Sequence, residues 1–262
     1  MVIDAVAETV APALFDIAMD YPFARPDHSF LFVDGAVRAL PASGSESLDA
    51  ALAENGAAPL RDRTAVLAYG ANAAPERLWR KFESLKPGVV FPVLKARLFD
   101  FDVVYACHFS RYGALPATLA PSPGTVAEVA LTYLDGEQLA RMHETELSSR
   151  SYVYGRLEHI RAQPEGLAPL DAVHSYWTGY GFFAGAGGPR ALSAVAAERR
   201  CFAAVAQKAM QIQTRDRLAP GRELREFVHE NITDPALRYE RSLVLRTDAK
   251  PFDHPNCKLS GG

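Results

Sequence analysis

The sequence has few cysteines, and they lie far apart. Cys107, Cys201 and Cys257 show no Cys-x-x-Cys spacing. This distribution argues against a disulfide framework and against a zinc site built on paired cysteines, and it is typical of a reducing compartment. A His-Glu-x-x-His motif is also missing, so the sequence predicts no metal site.

Long apolar runs, a basic leader and clusters of one charge sign are missing too. The apolar runs are too short to span a bilayer. The first residues include the acidic Asp4 and Glu8 and no basic leader, so we expect no signal peptide. The net charge is −3 over 262 residues, with no cluster of lysine and arginine. We therefore expect a cytoplasmic protein that binds neither nucleic acid nor membranes.

Two widespread catalytic signatures are absent. No serine lies in a Gly-x-Ser-x-Gly elbow, which disfavours a serine hydrolase. No Gly-x-x-x-x-Gly-Lys loop is present, which disfavours phosphate binding by a P-loop. The glycines of Gly185–Gly188 precede Pro189 without the strand that a dinucleotide-binding loop requires. We interpret them as an interdomain loop.

The composition, 48% hydrophobic and 23% charged, is that of an ordinary globular protein. Residues 1–61 are expected to form an N-terminal extension. Apolar spacing predicts a helix over 3–19, and Asp34-Gly35 between apolar runs predicts a β-hairpin. A loop over 41–47 and a short helix over about 47–54 follow, with Asn55-Gly56 as its left-handed cap.

Residues 62–184 are expected to form a strand-rich domain, and 185–262 a helical C-terminal extension packed on it. Strand candidates are Val89–Phe101, Val103–Tyr105, Tyr152–Ile160 and Ala172–Trp177, and a hairpin is expected to turn at Ser122-Pro123-Gly124 between Ala117 and Tyr133. Helices are expected from Pro189 to about 212, over 221–231 and over 235–246, with an extended or disordered tail from Lys250.

The segment Val66–Asn72 predicts an anion-binding corner. Its apolar residues read as a buried strand that ends at Tyr69, turns at Gly70 and precedes a helix starting at Pro75. Successive backbone N–H groups in such a strand–turn–helix corner suit a carboxylate or an oxyanion.

A second candidate is a carboxylate on the predicted helix 136–146. Asp135 and Gln138 form the pattern of a capping box, and Glu146 falls on the same apolar face as Met142. A carboxylate aimed at the interior is a candidate general base with a raised pKa. A paired Glu at the rim of that face is the alternative. His143 is interpreted as structural rather than metal-binding.

Four tyrosines occupy predicted strand positions, namely Tyr69, Tyr152, Tyr154 and Tyr176. Core packing is expected for at least two of them. A tyrosine whose hydroxyl faces a pocket would contact substrate.

Three of these motifs, in this order, resemble the γ-glutamylcyclotransferase-like family. The family's Tyr-Gly-Ser-Asn is matched by Tyr69-Gly70-Ala71-Asn72, and its following Glu-Arg by Glu76-Arg77. The Ala-Thr-x-x-x-Ser-Pro-Gly segment is matched by residues 117–124, and the helix motif ending in Glu by 139–146. A later Ser-Tyr is matched by Ser175-Tyr176. The resemblance covers about residues 64–180.

The resemblance implies an α+β fold, a compact mixed β-barrel with flanking helices. It implies an enzyme without a cofactor that cyclises a γ-glutamyl amide or peptide to 5-oxoproline, releasing an amine or amino acid. Glu146 would be the general base, and residues 69–72 with Tyr152, Tyr154 and Tyr176 would contact the substrate.

Ala71 stands where the family usually has Ser, so one hydroxyl is lost. Two alternatives to the cyclising enzyme stay open. One is a non-catalytic small-molecule binding protein on the same barrel, and the other is a hydrolase or amide transferase acting on another small amide. A monomer or homodimer is expected.

Overall fold

The structure is a computed structural model that describes residues 14–40, 44–85, 87–185 and 187–259. Residues 14–19 are helical. The rest of the helix predicted over 3–19 and the start of the loop predicted over 41–47 lie outside the described residues. No described helix is long and apolar enough to cross a membrane.

Five strands close into a barrel. Strand β4 (Val90–Tyr105) pairs with β5 (Ala117–Leu134), which pairs with β3 (Thr64–Ala68). Strand β7 (Leu170–Thr178) pairs with β3 and β6 (Tyr152–Pro164), and β6 returns to β4. The β3–β7 pair is parallel and the others are antiparallel. The α+β fold with a compact mixed barrel is therefore confirmed.

The N-terminal hairpin extends this barrel at β4. Strands β1 (Phe30–Val33) and β2 (Ala36–Ala39) pair in antiparallel register, and β1 also pairs with β4. Asp34 and Gly35 have φ angles of 47° and 94°, the conformation that a two-residue hairpin turn requires. The helix Ser45–Glu54 then ends before Gly56, which has a φ of 68°. Both local predictions are confirmed.

The hairpin predicted at Ser122-Pro123-Gly124 is wrong, because these residues lie inside the single strand β5. The pairing register with β4 jumps from Phe99 opposite Val126 to Phe101 opposite Pro121. Residues 122–125 therefore form an extended bulge, where the N–H of Gly124 donates to Asp100 Oδ1 at 2.7 Å. The turn-prone residues are used to bend the strand rather than to reverse it.

The helix predicted from Pro189 to about 212 is also wrong over most of its length. Three short strands, Arg190–Leu192, Ala197–Glu198 and Ala203–Val205, come first, and the helix Gln207–Leu218 begins only after them. Arg190–Leu192 pairs with β4 and with Ala203–Val205, and Ala197–Glu198 pairs with β5. Long-range pairing therefore overrides the apparent helical spacing.

The last two predicted helices are present, as Leu224–Thr233 and Pro235–Arg246. Asp234 caps the second, since its carboxylate accepts from the N–H groups of Ala236 and Leu237 at 3.0 Å. The tail is extended rather than disordered over its described part. Its short strands Ala249–Lys250 and Cys257–Leu259 pair with Phe182–Phe183 and with β6.

Two helices flank the barrel on the side that carries the site. They are Pro75–Phe82, which starts where the sequence predicted, and Gly136–Leu147. Leu78, Phe82 and Met142 have no exposed surface and pack in one cluster between these helices and the strands. Burial of these side chains, worth about 1.5–3 kcal/mol each, fixes how the two helices lie against the barrel.

Candidate functional site

A cavity of about 660 Å³ opens at one end of the barrel. One group of its lining residues, here called the barrel wall, comprises residues 69–72, Glu146 and Tyr152. A second group, here called the arginine wall, comprises Arg111, Arg238 and Arg246. A volume of this size is typical of small-molecule sites.

The Tyr69–Asn72 loop presents unpaired backbone donors to the cavity. Strand β3 ends at Ala68, and residues 71–73 form a single 3₁₀ turn before Pro75. Within the described ranges, the N–H groups of Gly70, Ala71 and Asn72 donate to no protein acceptor. They are therefore free to bind an anion.

Gly70 is needed because the chain passes very close to Tyr21. A β-carbon at position 70 would collide with the Tyr21 hydroxyl oxygen. That oxygen accepts from the N–H of Ala117 at 2.7 Å, so it is fixed in place. The tyrosine holds the loop against the start of β5.

Glu146 reaches the cavity from the second-last position of its helix. The predicted capping box is present: the N–H of Gln138 donates to Asp135 Oδ1 at 2.9 Å, and the N–H of Asp135 donates to Gln138 Oε1 at 3.2 Å. This start sets the rotation of the helix, which points Met142 into the core and Glu146 toward the cavity.

Lys81 is the partner of Glu146. Its ammonium group contacts Glu146 Oε1, and the two side chains are only 16% and 14% exposed. The Arg141 guanidinium Nε donates to the carbonyl of Lys81 at 2.7 Å, which ties the two helices together beside this pair. The second carboxylate oxygen, Oε2, accepts no hydrogen bond from the described residues, so it remains available to a ligand.

The hydroxyl groups of Tyr69 and Tyr152 are already engaged. They donate to the main-chain carbonyls of Tyr176 and Ala117, the latter at 3.0 Å. Burial, reinforced by the nearby negative charge of Glu146, raises the pKa of both hydroxyls well above the usual range. Both stay protonated, and each offers a ligand its acceptor lone pairs.

Of the two remaining tyrosines, Tyr176 lines the cavity and Tyr154 does not. Tyr176 lines the cavity, and its hydroxyl lies 2.7 Å from His143 Nδ1. Tyr154 is outside the cavity lining and stacks on His174, with ring centroids 5.4 Å apart. Burial raises the pKa of Tyr154 to about 12. The structure thus brings together Glu146, the loop, Tyr152 and Tyr176, and it leaves Tyr154 apart.

Sequence reasoning missed Lys81, Tyr21 and the arginine wall. Lys81 and Arg77 both line the cavity and lie four residues apart, so they share one face of the helix that follows the loop. That spacing was a usable signal. Tyr21 and the arginines reach the cavity from distant parts of the chain, and no local pattern marks them.

Among the described residues, no group of three or more His, Cys, Asp or Glu side chains is placed to hold a metal ion. His143 instead packs edge-on against Tyr154, with ring centroids 4.5 Å apart.

No protein-family model and no curated protein sequence matches the chain. A solved structure named gamma-glutamyl cyclotransferase is 16% identical, with a TM-score of 0.35, and the match covers 76% of this chain and 94% of that chain. A human protein described as uncharacterized is 15% identical, with a TM-score of 0.33 and the same coverage of 76% and 94%.

A solution structure from Arabidopsis thaliana is 15% identical, with a TM-score of 0.34 and coverage of 45% of this chain and 69% of that one. One of these three proteins bears the name of the family that the sequence motifs resemble. Similarities this distant assign no activity to the chain.

Proposed function

We propose that the chain cyclises a γ-glutamyl amide or peptide to 5-oxoproline and releases an amine or amino acid. The observation that carries this proposal is the shared cavity. Glu146 and the free N–H groups of residues 70–72 line the same space, which is large enough for a small substrate. An acid–base group facing an anion-binding turn is the pairing that this reaction needs.

The glutamyl head has one cationic and one anionic group to be bound. Its α-ammonium would lie against Glu146 Oε2 and the lone pairs of the Tyr69 and Tyr152 hydroxyls. Its α-carboxylate would accept from loop N–H groups, with the positive charge of Arg77 beside it. Arg77 lies over the rings of Phe23 and Tyr112, 4.5 and 4.9 Å from their centroids, which fixes its position.

Glu146 would then carry protons from the attacking nitrogen to the leaving nitrogen. The α-ammonium cannot attack until it loses a proton, which Glu146 accepts. The freed amine attacks the γ-carbonyl carbon and forms the five-membered ring, and the developing oxyanion is stabilised by N–H donors of the loop. The bond to the leaving nitrogen breaks as that nitrogen takes the proton from Glu146. The ring nitrogen gives its second proton to the Glu146 carboxylate, which passes it to the departing amine or to solvent. Because the attack is intramolecular, holding the correct rotamer supplies much of the rate.

The experiment is detection of 5-oxoproline from a panel of γ-glutamyl compounds, with the wild type and Glu146→Gln. We expect the variant to lose about 10²–10⁴-fold in kcat/KM while its thermal unfolding stays unchanged. Glu144→Gln is the matched control, since Glu144 lies on the same helix with a side chain 65% exposed. Full activity in Glu146→Gln would overturn the assignment of this residue.

A non-catalytic binding protein is the second candidate. It is favoured by Ala71, which lacks the hydroxyl usual in the family, and by the Lys81–Glu146 pair. It predicts ligand binding without turnover across the panel. Product analysis separates a third candidate, hydrolysis or amide transfer, because only cyclisation yields the lactam.

A further inference from the structure

The cavity carries far more positive than negative charge. Among its described lining residues, five side chains are cationic and Glu146 is the one carboxylate. Lys81 is paired with Glu146, which leaves the guanidinium groups of Arg77, Arg111, Arg238 and Arg246. In the described part of the chain, none of these four forms an ion pair with a carboxylate. A half-enclosed space with this imbalance attracts anions.

Arg246 has a guanidinium group whose hydrogen-bonding capacity is not satisfied by the described residues. Its guanidinium carbon lies 3.3 Å from the centroid of the Tyr180 ring, and its Nε is buried without a hydrogen-bond partner. A buried donor without an acceptor is destabilising. A guanidinium that lies over an aromatic ring can still donate hydrogen bonds to a carboxylate or phosphate.

Arg238 and Arg111 add two like charges to the same wall. Arg238 Nη1 donates to the carbonyls of Asn231 and Ile232 at 2.8 and 3.2 Å, which anchors the side chain. Burial lowers the pKa of Arg238, and the positive charge of Arg111 lowers it further, while the negative charge of Asp234 acts in the opposite direction. Like charges held near one another are relieved when an anion lies between them.

His108 connects this wall to the reaction site. Its ring packs edge-on against Tyr180 and against Tyr152, at centroid distances of 5.6 and 5.7 Å. The residue is 5% exposed, and its Nδ1 has no hydrogen-bond partner. Burial, together with Arg246, lowers the pKa of His108 to about 3. Two rings, those of Tyr180 and His108, therefore link Arg246 to Tyr152.

We propose that Arg111, Arg238 and Arg246 form a subsite for a leaving group with two or more negative charges, an assignment that rests on the proposed cyclisation. The glutamyl head supplies one carboxylate, which the loop and Arg77 accommodate on the barrel wall. The guanidinium groups of Arg111, Arg238 and Arg246 line the same cavity and have no paired carboxylate among the described residues, so they are available to the departing amine. An acidic amino acid or a phosphate-bearing amine would supply the missing charges.

The test compares three substrates that share the γ-glutamyl head. They are γ-glutamyl-ethylamide, with a neutral leaving group, γ-glutamyl-glutamate, with two carboxylates, and γ-glutamyl-phosphoethanolamine, with a phosphate. We expect kcat/KM for at least one doubly charged substrate to exceed that of the ethylamide by about 10-fold or more. The preference should shrink as salt is raised from 50 to 500 mM, because salt screens the attraction.

The variants are Arg246→Gln and Arg238→Gln. Each should lower kcat/KM for the doubly charged substrates about 10-fold and change the ethylamide less than about 3-fold. Arg225→Gln is the control, because Arg225 is exposed, stacks on Phe15 and lies outside the cavity lining. Equal kcat/KM values for all three substrates, or equal losses for all three in Arg246→Gln, would overturn the subsite.

Calorimetric binding to the Glu146→Gln variant separates this subsite from the cyclisation itself. One possible result is that the wild type turns over none of the three compounds, while γ-glutamyl-glutamate or the phosphate compound binds the Glu146→Gln variant in an Arg246-dependent manner. That result would support the subsite and contradict the cyclisation. If turnover is seen without a charge preference, the cyclisation stands and the subsite falls. If there is neither turnover nor Arg246-dependent binding, both fall.

Discussion

The two walls of the cavity differ in how their polar groups are satisfied. On the barrel wall, the Tyr69 and Tyr152 hydroxyls bind main-chain carbonyls and Glu146 contacts Lys81. On the arginine wall, Arg246 stacks on a ring without donating a hydrogen bond to the described residues, and Arg238 and Arg111 repel each other. The barrel wall is organised before a ligand arrives, whereas the three arginines of the arginine wall form no ion pair with a carboxylate in the described part of the chain.

This difference predicts different consequences for substitutions. A change on the barrel wall disturbs bonds that exist without substrate, so it should reduce turnover of every substrate. A change on the arginine wall removes a charge that only a ligand would use, so it should act selectively. The largest general loss of turnover is expected for Glu146→Gln, and the most selective loss, confined to the doubly charged substrates, is expected for Arg246→Gln.

The next largest effect is expected at Gly70. In Gly70→Ala the new methyl group collides with the Tyr21 hydroxyl, so the loop and its N–H groups must shift. A shift of about 1 Å costs about 10²-fold in turnover, and we expect this loss of kcat for all substrates alike. The double variant Gly70→Ala/Tyr21→Phe removes the colliding oxygen and should recover part of the loss. No recovery would show that the contact with Tyr21 is not what fixes the loop.

A smaller effect is expected at Lys81, which tests whether the barrel wall depends on its ion pair. Without the ammonium group, the Glu146 carboxylate loses the contact that holds it in place. In Lys81→Met we therefore expect kcat/KM to fall about 10-fold for every substrate. Lys81→Arg keeps the positive charge and should retain most of the activity. An unchanged kcat/KM in Lys81→Met would show that this ion pair does not position Glu146.

The smallest effect concerns stability and lies at the border of the two walls. The pKa of His108 is lowered to about 3 when folded, against about 6.5 when unfolded. Between these values the unfolded chain binds the extra proton, so stability falls as pH decreases through this window. In His108→Gln the slope should lessen by up to about 1.4 kcal/mol per pH unit.

Denaturant unfolding at several pH values from 4 to 7.5 measures this slope. His229→Gln is the control, since that side chain is exposed. A slope in His108→Gln equal to that of the wild type would mean that His108 is not the residue whose protonation is suppressed.

Elements governed by neighbouring residues were predictable from the sequence. The capping box of Asp135 and Gln138 and the Asp34-Gly35 turn depend on contacts within a few positions. The orientation of Glu146 followed from the helix period. The barrel itself was reached only through the motif resemblance, because strand order is not written in any local pattern.

Elements decided by distant pairing were not predictable. Pro123 and Gly124 suit either a tight turn or a bulge, and the choice depends on Asp100 of the opposite strand. Residues 190–205 are strands because β4, β5 and each other supply their partners. Lys81 and Glu146 are 65 positions apart, so no spacing rule connects them.

The helix Pro235–Arg246 contributes Arg238 and Arg246 from a contiguous segment that follows the last barrel strand in the chain. Neither guanidinium donates to a barrel strand in the described structure. A chain can therefore exchange these side chains without breaking a hydrogen bond of the barrel. Under the proposed reaction, substitutions in this short helix would change which amine is released and leave Glu146 and the 69–72 loop unaltered. Substrate preference could therefore evolve independently of the catalytic residues.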